Sequence, residues 1–220
     1  MSNRKTRAPV KRDAEASKRR ILEAALMEFS THGLAGARID VIAERARVSK
    51  PMLYTYFGDK NDLYKAALRE SYVQIRSGER ELDTEGMSPE AAVRELVRFT
   101  MKHFISKPWF ISMLNTENLL GGDSIRQIAD VAEIQSPLVD RIGKILKRGA
   151  AEGRFRDGID PIEFYITIAS LCYFPVSNKH TLRAVFGVPI DDEWLSPRAE
   201  GAAAMLLGYP RPGRERAGDA

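Results

Sequence analysis

The sequence predicts an all-α chain in which a small three-helix head precedes a larger helical body. Two observations lead there. Apolar residues recur at helical spacing along most of the chain, whereas no run keeps the period of two that a strand requires and no repeat appears at a fixed interval. Glycine and proline cluster at intervals between these helical runs, where turns belong. With 220 residues, 44% of them hydrophobic and 29% charged, the composition is that of a globular protein able to bury a core, and not of a disordered or collagenous chain.

Residues 1–14 lack apolar periodicity and read as a flexible basic arm. The first helix is expected from Ser17, because Ile21, Leu22, Ala25, Leu26 and Phe29 form one apolar stripe that stops at Gly33. A second, short helix spans about 39–46, with Ile42, Ala43 and Ala46 on its inner side. A third covers about 50–57, with Ser49 as N-cap and Pro51 in the first turn, where the absent N–H costs nothing. Only Arg47, Val48 and Ser49 join the second helix to the third, and so short a link forces a steep crossing, the helix-turn-helix geometry. Asp59 and Asp62 then resemble a capping arrangement opening a long helix from Lys60 to about Arg80.

After the break at 82–89, further helices are expected near 89–106, 108–119, 123–134, 137–152, 161–175, 178–186 and 194–207. Pro108, Gly121 with Gly122, Pro137, the stretch 153–158 and the turn 187–189 separate them. The expected organisation is a basic arm (1–14), a helix-turn-helix head (15–65), a helical body (66–208) and a disordered tail (209–220).

Charge separates head from body. Residues 1–65 hold 14 Lys and Arg against 8 Asp and Glu, while the other 155 hold 20 against 22. The N-terminal part therefore suits a polyanion and the body does not. No stretch approaches the roughly 20 apolar residues of a membrane span, and no signal-peptide pattern opens the chain, so a cytoplasmic protein without membrane contact is expected. One cysteine, Cys172, and three scattered histidines exclude an internal disulfide and argue against a metal site. No phosphate-binding, nucleophile-elbow, zincin or dinucleotide motif is present, so neither an enzyme nor a cofactor is expected.

The stretch SKRRILEAALMEFSTHGLAGARIDVIAERARVSKPMLYTYFGDKNDLYKAAL resembles the DNA-binding domain of the TetR family of transcriptional regulators. The carriers are Ile21, Leu22, Ala24, Ala25, Phe29, Gly33, Ile42, Ala43, Ala46, Val48, Ser49, Leu53, Tyr54, Tyr56, Phe57, Lys60 and Leu63. One departure stands out, since Arg47 occupies the turn position where the family usually has glycine. On a helical wheel Leu53 and Phe57 share the inner side of the third helix, leaving Pro51 and Thr55 opposite, flanked by Met52 and Tyr54. A short helix anchored on one side fits a major groove about 12 Å wide. Lys50 is placed for a guanine edge or phosphate, and Met52 and Thr55 for a thymine methyl. Arg38 and Lys60 are candidates for phosphate, the latter at a helix N-terminus. The resemblance implies phosphate contacts for the Tyr54 and Tyr56 hydroxyls. Arg38, Ser49, Lys50, Pro51, Met52, Tyr54, Thr55, Tyr56 and Lys60 make up the expected DNA-binding set.

The resemblance further implies a homodimer on a double-stranded DNA operator, with a small-molecule effector bound in the body. For dimerisation the candidates are the run 162–174, apolar on nearly every side, and the last helix, rich in small residues. For the effector they are His103, Phe104, Trp109, Phe110, Met113 and Asn118, facing Tyr165, Ile168 and Cys172, aromatic walls with a few polar groups. The expected function is a repressor released by its ligand. An activator of the same fold and a helical ligand-binding module without DNA recognition are the alternatives.

Overall fold

The computed structural model describes residues 9–208; residues 1–8 of the expected arm and the expected tail from 209 lie outside the described residues. Eleven α-helices run through the described part without a strand: α1 (Pro9–Gly36), α2 (Ile39–Ala46), α3 (Lys50–Phe57), α4 (Lys60–Arg80), α5 (Pro89–Ser106), α6 (Pro108–Leu119), α7 (Val131–Ala151), α8 (Pro161–Ser177), α9 (Lys179–Phe186), α10 (Asp192–Leu195) and α11 (Arg198–Gly208). No described helix is long and apolar enough to cross a membrane.

Several helix starts follow local chemistry. Ser49 accepts the Met52 N–H, Ser88 accepts the Ala91 N–H, and Asp160 accepts those of Ile162 and Glu163. Each of these helices also carries a proline in its first turn. At α4 the cap is reciprocal: the Asp62 N–H donates to Asp59 Oδ1 at 2.9 Å, and the Asp59 N–H donates to Asp62 Oδ2 at 3.4 Å.

Three expectations about element bounds are corrected. The first helix begins at Pro9, so residues 9–14 are helical and not part of a flexible arm. At Gly33 the regular spiral stops as expected, since its φ of 65° and ψ of 179° are non-helical and the segment up to Gly36 follows only across a kink. Residues 123–134 do not form a helix of their own. Gly121 and Gly122 turn the chain at positive φ, and the buried Glu117 carboxylate accepts the N–H groups of Ser124 and Ile125 at 2.7 and 2.9 Å. A short 3-10 turn (Ile125–Gln127) results, and α7 starts at Val131 and carries Pro137 inside it. Finally, the expected helix 194–207 divides into α10 and α11.

The chain forms two compact units. One comprises the described residues up to Tyr72 together with Ser112–Val131, and the other comprises Val73–Ile111 with Ala132 onward. The boundary expected at residue 65 thus falls inside α4.

In the first unit, Ile21, Ala25, Phe29, Ile42, Leu53, Leu63 and Tyr64 are fully enclosed. Phe29 and Tyr64 meet edge to face, with centroids 5.1 Å apart, and the Tyr64 hydroxyl donates to Glu117 Oε2 at 3.3 Å. Burial, with the Glu117 carboxylate beside it, pushes the Tyr64 hydroxyl well above the ordinary tyrosine range, so it remains a neutral donor. Residues 120–130 are tied back by Arg69, which grips Asp130 through Nε at 2.9 Å.

In the second unit α5 packs against α8 and α11, and α8 against α11. Arg141 and Arg148 of α7 donate to backbone carbonyls of Glu79, Arg80, Leu82, Thr84, Glu85 and Met87. The two guanidinium groups therefore satisfy carbonyls that the end of α4 and the following loop leave without helical partners.

Candidate nucleic-acid interface

The link between α2 and α3 sets the geometry of the head. Arg47 lies in the left-handed region, at φ 56° and ψ 48°, and its N–H closes α2 on the Glu44 carbonyl. The conformation for which glycine is suited is thus adopted by an arginine, the one positive-φ non-glycine residue among the described residues. Arg47→Gly is expected to raise stability by roughly 1 kcal/mol, about 2–4 °C in the thermal midpoint of a chain this size. A melting curve without that rise would mean that the turn carries no strain.

Leu53 is fully buried and anchors α3, whereas Phe57, expected to share that role, is only half-buried. Lys50, Pro51, Met52, Tyr54 and Thr55 are exposed, with Tyr54 at 47% and Met52 at 40%. Of the two remaining positions on or beside this helix, Ser49 commits its hydroxyl to the cap and Tyr56 is half-buried under Lys18, whose ammonium lies 5.8 Å from the ring centroid. The Thr55 hydroxyl donates to the Pro51 carbonyl at 2.8 Å.

Two expected phosphate contacts already hold protein partners. Arg38 forms a two-point pair with Asp40, at 2.7 and 3.2 Å, which holds the Asp40 carboxyl below the usual carboxylate range. Lys60 Nζ donates to the Ala35 carbonyl at 3.0 Å, fastening the start of α4 to the end of α1.

Three positions escaped the sequence reading. Glu28, buried on α1, accepts the Arg38 N–H at 3.1 Å and so fixes the entry into α2. Arg20 Nε donates to the Ala46 carbonyl at 3.1 Å, closing the other end of that helix. Together with Arg45 and Arg47, Arg20 lines an open cleft of about 390 Å³ shared with Glu23, Ala24 and Met27, which concentrates three cations against one carboxylate.

The second unit brings together most of the expected effector residues. His103 packs edge to face on Phe110 at 5.3 Å and lies 6.4 Å from Phe104, which stacks on Phe110 at 5.9 Å. Trp109 meets Phe110 at 6.1 Å. Ile168 and Cys172 are buried on α8, where Cys172 Sγ lies 3.7 Å from the Val97 carbonyl and desolvation pushes the thiol up to about 12. Met113 and Asn118 belong to the other unit; Met113 is fully buried, and the exposed Asn118 donates its amide to the Leu114 carbonyl.

The second unit also encloses an ion pair that the sequence did not disclose. Arg76 and Glu79, both at least 96% buried, approach to 2.6 Å, and Arg76 Nη2 donates to the Tyr165 hydroxyl at 2.9 Å. Desolvation raises Glu79 to about 7 although Arg76 and Arg141 oppose it.

His103 is driven the other way, down to about 4, by burial first and by Lys107 and Arg76 next. In the unfolded chain it titrates near 6.5, so the unfolded state takes up the proton first. Its contribution to stability is complete above pH 6.5 and is lost as the pH falls toward 4, about 3 kcal/mol at most. His103→Phe is expected to remove this rise with pH, so that stability at pH 7 relative to pH 4.5 is lower in the variant than in the parent, measured by denaturant melts at both values. Glu79 acts with the opposite sign, since its contribution is present below pH 4.5 and is lost as the pH rises through 7. An unchanged pH slope in the His103 variant would show that the imidazole does not titrate with unfolding.

A helix-turn-helix with an exposed recognition helix, carried by a chain that also builds a second helical unit, defines a DNA-binding regulator. The family model of bacterial regulatory proteins of the tetR family matches residues 21–67, and the tetracyclin repressor-like C-terminal domain matches 89–204. The HTH-type transcriptional repressor NicS of Pseudomonas putida is 35% identical over 201 residues, covering 89% of this chain and 94% of the relative. The HTH-type transcriptional regulator RutR of Escherichia coli K12 is 29% identical over 209 residues, covering 94% and 97%. Among solved structures, the fatty acid degradation regulator FadR from Bacillus halodurans superposes with a TM-score of 0.68 at 19% identity, covering 92% and 97%. The chain belongs to the TetR family of transcriptional regulators.

Proposed function

We propose that this protein is a homodimeric, cytoplasmic repressor that occupies a pseudo-palindromic operator and leaves it when a small molecule binds the body. The observation that carries the reading is α3, held by buried Leu53 and a Ser49 cap while Lys50, Met52, Tyr54 and Thr55 face outward. In the bound state Lys50 reaches a guanine edge or a phosphate, and the Tyr54 and Tyr56 hydroxyls contact phosphate oxygens. Lys60 and Arg38 exchange Ala35 and Asp40 for phosphate, and the Arg20, Arg45 and Arg47 cleft adds field strength. Two such helices read successive major grooves about 34 Å apart.

Dimerisation is assigned to α8 and α11, which leave Ile162, Ile166, Phe174 and Met205 between 49% and 66% exposed although the two helices pack together. The effector acts through α4, one continuous helix that starts at Lys60 and carries Arg76 and Glu79 near its end. It must bind the two states with unequal affinity, or it shifts nothing.

The test is fluorescence anisotropy of a labelled duplex from DNA flanking the gene, at two salt concentrations and against random competitor. Binding that survives the competitor and weakens with salt is expected, and Lys50→Ala is expected to weaken it about tenfold or more with relaxed sequence preference. Equal affinity for operator and random duplex would overturn the reading. A promoter fusion reads the sign of regulation, and rising output on adding the protein would replace repression by activation.

A further inference from the structure

The second unit encloses a guanidinium that its own residues do not satisfy. Arg76 is 3% exposed, yet its Nε and Nη1 make no hydrogen bond, and neither does Glu79 Oε2 despite the 2.6 Å approach to Nη1. His103, 8% exposed, likewise leaves Nε2 without a partner. Four unsatisfied donor or acceptor atoms on three buried side chains are costly, and folds keep such groups where something else completes them. The surroundings suit a flat molecule: Phe99, Phe104 and Phe110 lie within 6.4 Å of the His103 ring, and the Tyr165 ring lies 5.2 Å from the guanidinium carbon.

We infer that Arg76 and His103 form the polar end of the effector site and that the effector is a small planar carboxylate. Its carboxylate takes the two open edges of the Arg76 fork, its ring lies against the phenylalanines, and His103 Nε2 bonds a polar substituent. Glu79 is the built-in competitor, holding the cation until the ligand displaces it. The void beside Arg76 and Glu79, bounded by Pro137, Leu138 and Arg141, measures about 10 Å³, room for one water. A ligand therefore enters only if Glu79 and the last turns of α4 move, and Arg141, bonded to the Glu79, Arg80 and Leu82 carbonyls, moves with them. The inference rests on the ligand-responsive reading above and adds the chemical class of the ligand.

The full-length protein is titrated calorimetrically with a panel of one-ring and two-ring aromatic carboxylates, each paired with its neutral amide, and the same compounds are added to the operator complex. Acids are expected to bind about tenfold or more tightly than their amides and to release the operator, and Arg76→Gln is expected to erase that preference. Glu79→Gln is expected to tighten acid binding by removing the competitor, a gain that a merely structural ion pair would not give, and it serves if Arg76→Gln does not fold. Operator release by neutral compounds with no acid preference, or acid binding unchanged in both variants, would overturn the inference and leave the ligand-responsive reading standing. A wider compound set in which nothing shifts operator affinity would overturn that reading as well.

Discussion

Phe29→Ala is expected to unfold the head and abolish operator binding, although Phe29 is wholly buried and is not one of the expected DNA-binding residues. The ring is wholly enclosed and meets Tyr64 edge to face at 5.1 Å, while Tyr64 is itself fully buried and bonded to Glu117. Removing such a ring costs about 3–5 kcal/mol, a large part of the roughly 5–15 kcal/mol that holds a domain together. The cost is compounded because Tyr64 loses its aromatic partner and its hydroxyl geometry in the same step. Circular dichroism melts and operator titrations on one preparation check this. Met27→Ala, on the same helix at 48% exposure, is the control and should alter stability by less than about 0.5 kcal/mol. A Phe29 variant that melts with the parent would mean that the head core does not depend on this contact.

Phe174→Glu combined with Ile166→Glu is expected to leave each subunit folded but monomeric, and to lower operator affinity about a hundredfold or more. Both side chains lie on one stripe of α8, 57% and 49% exposed in the isolated chain, so a carboxylate there costs the subunit little. Buried at a two-fold interface, each carboxylate would face its own copy or an apolar surface without a partner. Separating the heads removes the effective concentration that the second head contributes after the first has bound. Sedimentation velocity reads the mass, and anisotropy on whole and half operators reads the coupling. A variant that remains dimeric would move the interface away from this stripe, and a monomer with undiminished affinity would show that the two heads bind independently.

Much of the head was legible before any coordinates. The Ser49 cap, the reciprocal Asp59 and Asp62 cap and the enclosed positions Ile42 and Leu53 all follow from rules that act within about four residues, and the resemblance marked the turn at Arg47. The same rules erred at Pro137, because proline stops a helix only where the lost bond and ring clash are not repaid by packing, and α7 continues through it. They also placed Phe57 inside, where the end of α3 leaves it half-buried.

What the sequence alone determined is therefore the helical class, the order of the helices, the head with its recognition helix and the aromatic cluster around His103. Tertiary structure alone decided which charges find partners: Lys60 on Ala35 across 25 residues, Arg141 on Leu82 across 59, and Arg76 beneath Tyr165 across 89. The physical reason is range. Caps and periodicity are settled by neighbours along the chain, whereas the burial and pairing of a long cationic side chain depend on elements brought beside it only when the core closes.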